Sequence, residues 1–212
     1  ECGFVQVDNA IEALQRLAAY HRAQFRGTVV GITGSNGKTV IKEWIAEELP
    51  EGMKYYRSPK SYNSQLGVPL SVLMLEGDEE LAIFEAGISK PGEMERLERI
   101  IRPDAVIFTS IGDAHQENFI NLEQKCDEKM ILARSASKII YHSYYEPLGR
   151  MVAAHFADRR PVDAASYPEV PESVIGNAAS RRNAQIVEAF CDAMRYPAPS
   201  FAGAPSVAMR LE

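Results

Sequence analysis

The feature that most constrains the fold of this chain is a glycine-rich stretch, GITGSNGKT, at residues 31–39. A short apolar run at residues 28–30 precedes it, and the segment that follows places Ile41, Trp44, Ile45 and Leu49 at helical spacing. A strand, a glycine-rich turn and a helix in this order form a cradle for phosphate groups. The stretch therefore predicts a site for a nucleoside triphosphate.

Each part of the cradle has a chemical role. Glycines let backbone N–H groups turn toward an anion, and the helix N-terminus adds partial positive charge. A lysine reaches the outer phosphates, and a hydroxyl can bind Mg²⁺. The residues predicted to bind the nucleotide are Gly34, Ser35, Asn36, Gly37, Lys38 and Thr39. The usual Walker pattern has glycine where Ile32 stands, so an ordinary glycine-rich turn is the alternative.

Along the chain, buried strands alternate with amphipathic helices. This order predicts the α/β class, a P-loop-type three-layer α/β/α fold with a mostly parallel sheet. We expect a lead-in helix at residues 1–26, capped by Asp8, a central domain at 27–196, and a proline-rich linker at 197–212. Within the domain, residues 157–179 are predicted to be irregular with one edge strand, and Ser180 to cap the last helix.

Charge and cysteine content exclude several classes of function. The 212 residues carry a net charge of −6 without a contiguous basic face, which argues against binding of nucleic acid or of a membrane surface. The three cysteines, Cys2, Cys126 and Cys191, are too widely spaced for a zinc site or a disulfide framework. We therefore expect a cytoplasmic protein, and no apolar run is long enough to insert into a membrane.

Two candidate metal ligands stand at strand ends. Glu85 closes the apolar run 81–84, and His115 follows the buried run 105–108. Carboxyl ends of parallel strands meet at one rim of the sheet, where ligands bind. A buried carboxylate needs a cation or hydrogen bonds, so Glu85 is predicted either to bind Mg²⁺ or to form a structural ion pair. For His115, metal binding and a structural role both remain open.

Two further polar positions are ambiguous from pattern alone. Asn63 lies in a polar turn before a helix, where a capping role competes with a chemical one. Lys125 and Lys129 lie one helical turn apart among acidic residues, which is typical of a solvated surface with i,i+4 ion pairs.

Taken together, several stretches resemble the central ATP-binding domain of the Mur ligases, most closely the type that adds D-alanyl-D-alanine to a UDP-N-acetylmuramoyl tripeptide. The matching stretches lie between residues 25 and 135 and are the glycine-rich loop, NSQLGVP at 63–69, EAG at 85–87 with PGE at 91–93, RPD at 102–104, IGDAH at 111–115 and Glu128-Lys129.

The resemblance implies an amide-forming ligase of peptidoglycan precursor synthesis, on which cell shape and division depend. A substrate carboxylate attacks the γ-phosphate of ATP, and the acyl phosphate is then attacked by the amine of D-Ala-D-Ala. The cofactors implied are ATP and Mg²⁺ at two sites. The partners implied are the UDP-MurNAc-peptide, D-Ala-D-Ala, and the N- and C-terminal domains of one longer parent chain. We expect the domain by itself to be inactive, because closure of a further domain completes such sites.

By matching position, the resemblance implies roles for individual residues. Thr39 and Glu85 would hold one Mg²⁺ and His115 the second, with Lys129 carbamylated so that its anionic group helps to bind that ion. Asn63 would lie near the γ-phosphate and the acceptor, and Asn183 near the adenine. The catalytic residues implied are Lys38, Asn63, His115 and Lys129.

The chain also departs from the family pattern. Ser180 stands where a second asparagine is usual, and HSYYE at 142–146 replaces an asparagine and paired aspartates. Residues 157–179 form a shorter segment than in the family. The alternative functions are a ligase like folylpolyglutamate synthetase, which shares the loop and the lysine, and a nucleotide-binding module without catalysis.

Overall fold

The computed structural model describes residues 3–112 and 116–202. The strands are β1 (Thr28–Thr33), β2 (Tyr55–Arg57), β3 (Leu81–Ala86), β4 (Ala105–Phe108), β5 (Lys138–Tyr141) and β6 (Val162–Asp163). The α-helices are α1 (Ala10–Arg22), α2 (Lys38–Glu47), α3 (Gly67–Val72), α4 (Glu93–Ile101), α5 (Leu122–Met130), α6 (Leu148–His155) and α7 (Ala178–Met194). No helix in the described ranges has both the length and the apolar character needed to cross a bilayer.

The six strands form one sheet in the order β2-β3-β1-β4-β5-β6, and every neighbouring pair is parallel. β1 lies inside the sheet, with Gly31 opposite Phe84 of β3 on one side and Val106 of β4 on the other. All carboxyl ends therefore face one rim, and the loop after β1 lies near its middle.

Alternate residues of the strands face two separate cores, as buried parallel strands require. On one face, side chains such as Val29 and Phe84 pack against α1, α3, α4, α5 and α6. On the other face, side chains such as Val30 and Ile83 pack against α2 and α7. The three-layer α/β/α prediction is confirmed, and the short edge strand β6 lies within the segment predicted to be irregular.

Two helix caps differ from the sequence-based prediction. Asn9 caps α1 by accepting hydrogen bonds from the N–H groups of Ile11 and Glu12, so the prediction of Asp8 was wrong. Asn177 caps α7 and accepts from the N–H of Ser180, which was itself predicted as the cap. In both helices an asparagine with extended backbone takes the position, one of the residue types preferred there.

The beginning of the predicted linker packs on the domain. Phe201 is 5% exposed, and its ring lies edge-on to Trp44 of α2 at 5.9 Å between centroids. The carboxylate of Glu48, at the C-terminal end of α2, accepts hydrogen bonds from the N–H groups of Ser200 (2.8 Å) and Phe201 (2.7 Å). We call these four residues the C-terminal clasp. Residues 203–212 of the predicted linker lie outside the described residues.

Candidate functional site

The glycine-rich loop connects β1 to α2 at the centre of the rim. Gly37 has a left-handed backbone (φ 86°) and precedes the first turn of α2, which has no side-chain cap. The N–H groups of that first turn therefore keep their capacity to bind an anion. Gly34 has φ 150°, and a Cβ atom there would lie 1.9 Å from Oγ1 of Thr109, so the position requires glycine.

The end of β4 holds the loop in shape. The N–H of Ser35 donates to the carbonyl oxygen of Ser110 at 2.8 Å, and the N–H of Asn36 donates to Ser110 Oγ at 3.0 Å. Thr109 Oγ1 donates to the carbonyl of Asn36 at 2.6 Å. Sequence reasoning missed Thr109 and Ser110, although two hydroxyls directly after a buried strand were the available signal. Because two predicted phosphate-binding N–H groups are paired in this conformation, the first turn of α2 carries the free donors.

Two lysines converge on the loop from different elements. Lys38 Nζ donates to the carbonyl oxygens of Gly34 (2.9 Å) and Ser35 (3.1 Å), and Lys129 Nζ reaches the same Gly34 oxygen at 3.2 Å. Lys125 and Lys129 are 1% and 3% exposed, so the prediction of a solvated surface pair is wrong. The lysine face of α5 instead packs beneath the loop.

Burial and charge alter the proton affinity of these amines. Desolvation, reinforced by the positive charges of Lys38 and Lys125, lowers the pKa of Lys129 to about 7. Desolvation also lowers the pKa of Lys38, and the nearby Glu85 carboxylate partly opposes that effect. A substantial fraction of Lys129 is therefore an uncharged, nucleophilic amine near neutral pH.

Glu85 ends β3 beside the loop and is fully buried. Its Oε2 accepts a hydrogen bond from Thr39 Oγ1 at 3.1 Å, and its Oε1 lies 2.8 Å from Lys42 Nζ. The ammonium approaches Oε1 outside hydrogen-bond geometry, so this contact is an ion pair held by charge. The predicted structural ion pair therefore exists, while a metal at Oε2 remains a prediction. Lys42 was missed, because a single lysine among the apolar positions of α2 gives little signal.

Two cavities open at the rim and share Ser35, Lys38 and Asn63. One, of about 310 Å³, is lined by residues 35–40, Ser61, Asn63 and Glu85. The other, of about 370 Å³, includes Gly34, Gln65, Glu93 and Lys129 in its lining. The capping alternative for this turn belongs to Ser64, whose Oγ accepts from the N–H of Gly67, whereas Asn63 is exposed to both cavities.

A larger groove of about 690 Å³ lies between α1 and α4 and does not touch the glycine-rich loop. It shares Ile11, Gln65 and Glu93 with the 370 Å³ cavity. The side chain of Gln65 donates to the carbonyl of Glu93 at 3.0 Å, and Gln15 donates to the carbonyl of Gln65 at 3.0 Å. Size alone therefore does not identify the site, and the converging lysines and carboxylate do.

The remaining predicted residues fall in three categories. Asn183 of α7 borders the loop, since a Cβ at Gly37 would lie 2.9 Å from its Oδ1. His115 lies outside the described residues. Cys126 and Cys191 are buried, which raises the pKa of each thiol to about 12 and removes them as nucleophiles. Within residues 3–112 and 116–202, no cluster of three or more histidines, cysteines or acidic residues forms a candidate metal site.

The chain matches known proteins over most of its length. A family model described as the Mur ligase middle domain matches residues 32–167. A UDP-N-acetylmuramoyl-tripeptide--D-alanyl-D-alanine ligase from Borreliella burgdorferi is 41% identical over 126 residues, which are 59% of this chain and 27% of that protein. The chain thus spans about a quarter of the length of this curated relative.

Solved structures show the same fold. MurF from Acinetobacter baumannii superposes with a TM-score of 0.80 at 22% identity, over 94% of this chain and 50% of that one. MurF ligase from Thermotoga maritima, solved in complex with ADP, gives a TM-score of 0.77 at 21% identity, over 92% and 52%. An FPGS from L. casei gives 0.63 at 12% identity, over 96% and 68%.

Proposed function

Because this chain belongs to the Mur ligase family and carries its middle domain, we propose that it binds ATP within a longer ligase that joins D-Ala-D-Ala to a UDP-MurNAc-tripeptide. The observation that carries the proposal is the convergence of Lys38, Glu85 and Lys129 on one glycine-rich loop. The 41% identity to a ligase with that named reaction supports the choice of substrates.

In the proposed reaction a substrate carboxylate oxygen attacks the γ-phosphorus, and ADP leaves with the electrons of the broken P–O bond. The amine of D-Ala-D-Ala then attacks the acyl phosphate, so that an amide forms and inorganic phosphate leaves. Lys38 and the first turn of α2 would offset the charge of the transferring group. Asn63, which borders both cavities, would orient the acceptor carboxylate. Asn183 would contact the nucleotide on its adenine side.

The residues present fit one Mg²⁺ ion. Thr39 Oγ1 and Glu85 Oε2 lie 3.1 Å apart beside the 310 Å³ cavity, and a hydroxyl with a carboxylate is the hard oxygen set that Mg²⁺ prefers. When bound, the ion would neutralise charge on the phosphates. His115, outside the described residues, would serve a second ion.

Lys129 fits a second cation only after modification, because an ammonium would repel it. Its lowered pKa supplies the neutral amine that can add to CO₂. In that step an N–C bond forms, the nitrogen loses a proton to solvent, and an anionic carbamate results. We therefore include a carbamate on Lys129 in the proposal.

The substrate assignment is tested by phosphate release from the full-length parent protein. We expect release with UDP-MurNAc-tripeptide and D-Ala-D-Ala, and none with dihydrofolate and glutamate. Release with the folate pair alone would move the protein to the folylpolyglutamate synthetase class. Release with neither pair, in a protein that binds ATP, would favour a module without catalysis.

The metal assignment is tested by Glu85→Gln, which keeps the shape of the side chain and removes its charge. We expect Mg²⁺ to strengthen ATP binding in the unaltered protein and to have little effect in the variant. The matched control is Glu98→Gln, since Glu98 is also buried (7% exposed) but accepts a hydrogen bond from Ser135 on the far side of α4. Unchanged Mg²⁺ dependence in Glu85→Gln would remove Glu85 from the site.

The carbamate is tested with ¹³C-labelled bicarbonate and carbon NMR. We expect a carbamate signal in the unaltered protein, its loss in Lys129→Met, and its retention in Lys54→Met, whose lysine is 65% exposed. A signal that survives Lys129→Met would place the carbamate elsewhere.

A further inference from the structure

We propose that Lys42 is a positioning residue that prevents Glu85 from binding a divalent cation until a nucleotide delivers one. The inference rests on the proposed metal site at Thr39 and Glu85 and assigns a role to a lysine that the proposed reaction does not use. Lys42 lies one helical turn after Lys38 on α2, and its side chain is 0% exposed.

The contacts of Lys42 are more extensive than packing requires. Its ammonium lies 2.8 Å from Glu85 Oε1, donates to the carbonyl of Ser58 at 2.8 Å, and donates to the carbonyl of Lys60. Glu43 lies further away, at 3.5 Å, and its carboxylate is also held by Arg57. Glu85 is thus the nearest anion to a cation that has no access to solvent.

This pairing sets the charge that a free metal ion would meet. An uncompensated buried carboxylate attracts a divalent cation strongly, whereas one with an ammonium at 2.8 Å presents almost no net charge. Lys38 also lies beside the same carboxylate and adds further positive charge. The cradle without nucleotide is therefore cationic, and only the phosphates of a nucleotide restore the negative charge that a metal ion needs.

The pairing also divides the two oxygens of Glu85 between two tasks. Oε1 faces Lys42, while Oε2 faces Thr39 at the 310 Å³ cavity. Since both oxygens are held, the carboxylate cannot rotate to chelate an ion through both. The same ammonium ties down the carbonyls of Ser58 and Lys60, just before Ser61 and Asn63 of the cavity wall. One lysine thereby aligns the metal ligand with the turn that carries Asn63.

The test measures Mn²⁺ binding by electron paramagnetic resonance in the absence of nucleotide, with Mn²⁺ as the probe for Mg²⁺. Lys42→Met keeps the length of the side chain and removes its charge. We expect it to bind Mn²⁺ at least about tenfold more tightly than the unaltered protein. Lys54→Met, which breaks the exposed ion pair with Asp78, is the control and should change nothing. Equal affinity in Lys42→Met and the unaltered protein would overturn the proposal.

Two further measurements keep the test decisive if Lys42→Met does not fold. First, the unaltered protein should bind Mn²⁺ at least about tenfold more weakly without nucleotide than with a non-hydrolysable ATP analogue, and tight nucleotide-free binding would overturn the role of Lys42. Second, Lys42→Met/Glu85→Gln replaces the pair by neutral groups, and we expect it to lose the nucleotide-free Mn²⁺ site. Retention of that site would show that the ion binds away from Glu85.

These outcomes separate the inference from the proposed function. If the unaltered protein binds Mn²⁺ with the analogue and Glu85→Gln does not, the proposed metal site stands whatever Lys42 does. A purely structural role for Lys42 would lower the midpoint of thermal unfolding of Lys42→Met by the same amount with and without Mn²⁺. The proposal instead predicts that Mn²⁺ alone restores part of the lost stability in Lys42→Met and has no such effect in the unaltered protein.

Discussion

Replacing Lys129 by methionine should change how the stability of the domain depends on pH. The folded protein holds the pKa of Lys129 at about 7, against 10.5 for an ordinary lysine. Between these values the unfolded chain binds more protons than the folded one. Stability therefore rises with pH across this window, and the contribution of Lys129 is most unfavourable at and below neutral pH.

The size of the effect follows from the two pKa values. Integrating proton binding from pH 7 to pH 9 for a group that moves from 10.5 to about 7 gives a gain of about 2 kcal/mol in the free energy of unfolding. Methionine has a similar length and no charge. Lys129→Met should therefore be the more stable protein at pH 7, and its advantage should shrink by about 2 kcal/mol at pH 9.

The assay is urea unfolding in CO₂-free buffer at several pH values, since a carbamate would change the charge of Lys129. Lys54→Met serves as the control, because Lys54 is exposed and pairs with Asp78 at the surface. Its curve of stability against pH should run parallel to that of the unaltered protein above pH 7. Parallel curves for Lys129→Met and the unaltered protein would refute the argument that burial and neighbouring charge govern this lysine.

Three other substitutions test the loop, the clasp and a cap. Gly34→Ala should lower nucleotide affinity at least about tenfold, because its Cβ would lie 1.9 Å from Thr109 Oγ1, whereas Gly52→Ala, at φ 81° in open space, should leave affinity unchanged in the same titration. Phe201→Ala should cost about 3 kcal/mol of stability in urea unfolding by removing the ring from Trp44, and a cost near zero would show that the clasp does not form. Asn177→Ala should cost about 1 kcal/mol and Ser180→Ala clearly less, and the reverse order would return the cap of α7 to Ser180.

The parts of the site that the sequence predicted are those set by local order. A strand, a glycine-rich turn and a helix determine where Lys38 and Thr39 lie, and an apolar run that ends in Glu85 places that carboxylate at the same rim. Parallel strand topology then brings the two segments together without further information. The three-layer fold followed from the same alternation of strands and helices.

The parts that were missed depend on contacts between distant segments. In sequence, Lys129 stands among acidic residues and matches a solvated helix face, yet α5 packs its lysine side beneath the loop. Lys42 gains meaning only from Glu85, 43 positions later in the chain, and from the turn after β2. The caps failed for a different reason, since Asp8 and Asn9, or Asn177 and Ser180, are all acceptable cap residues and backbone geometry decides between them.

The clasp gives helix α2 two functions at opposite ends. Its first turn faces the proposed phosphate site, and its last residues, about 15 Å away, hold Ser200 and Phe201. The polypeptide beyond Phe201 is thus tethered to the back of the phosphate-binding helix and not to a loose strand of chain. A body attached there would swing about a fixed pivot, and any small tilt of α2 on nucleotide binding would be passed to it as leverage.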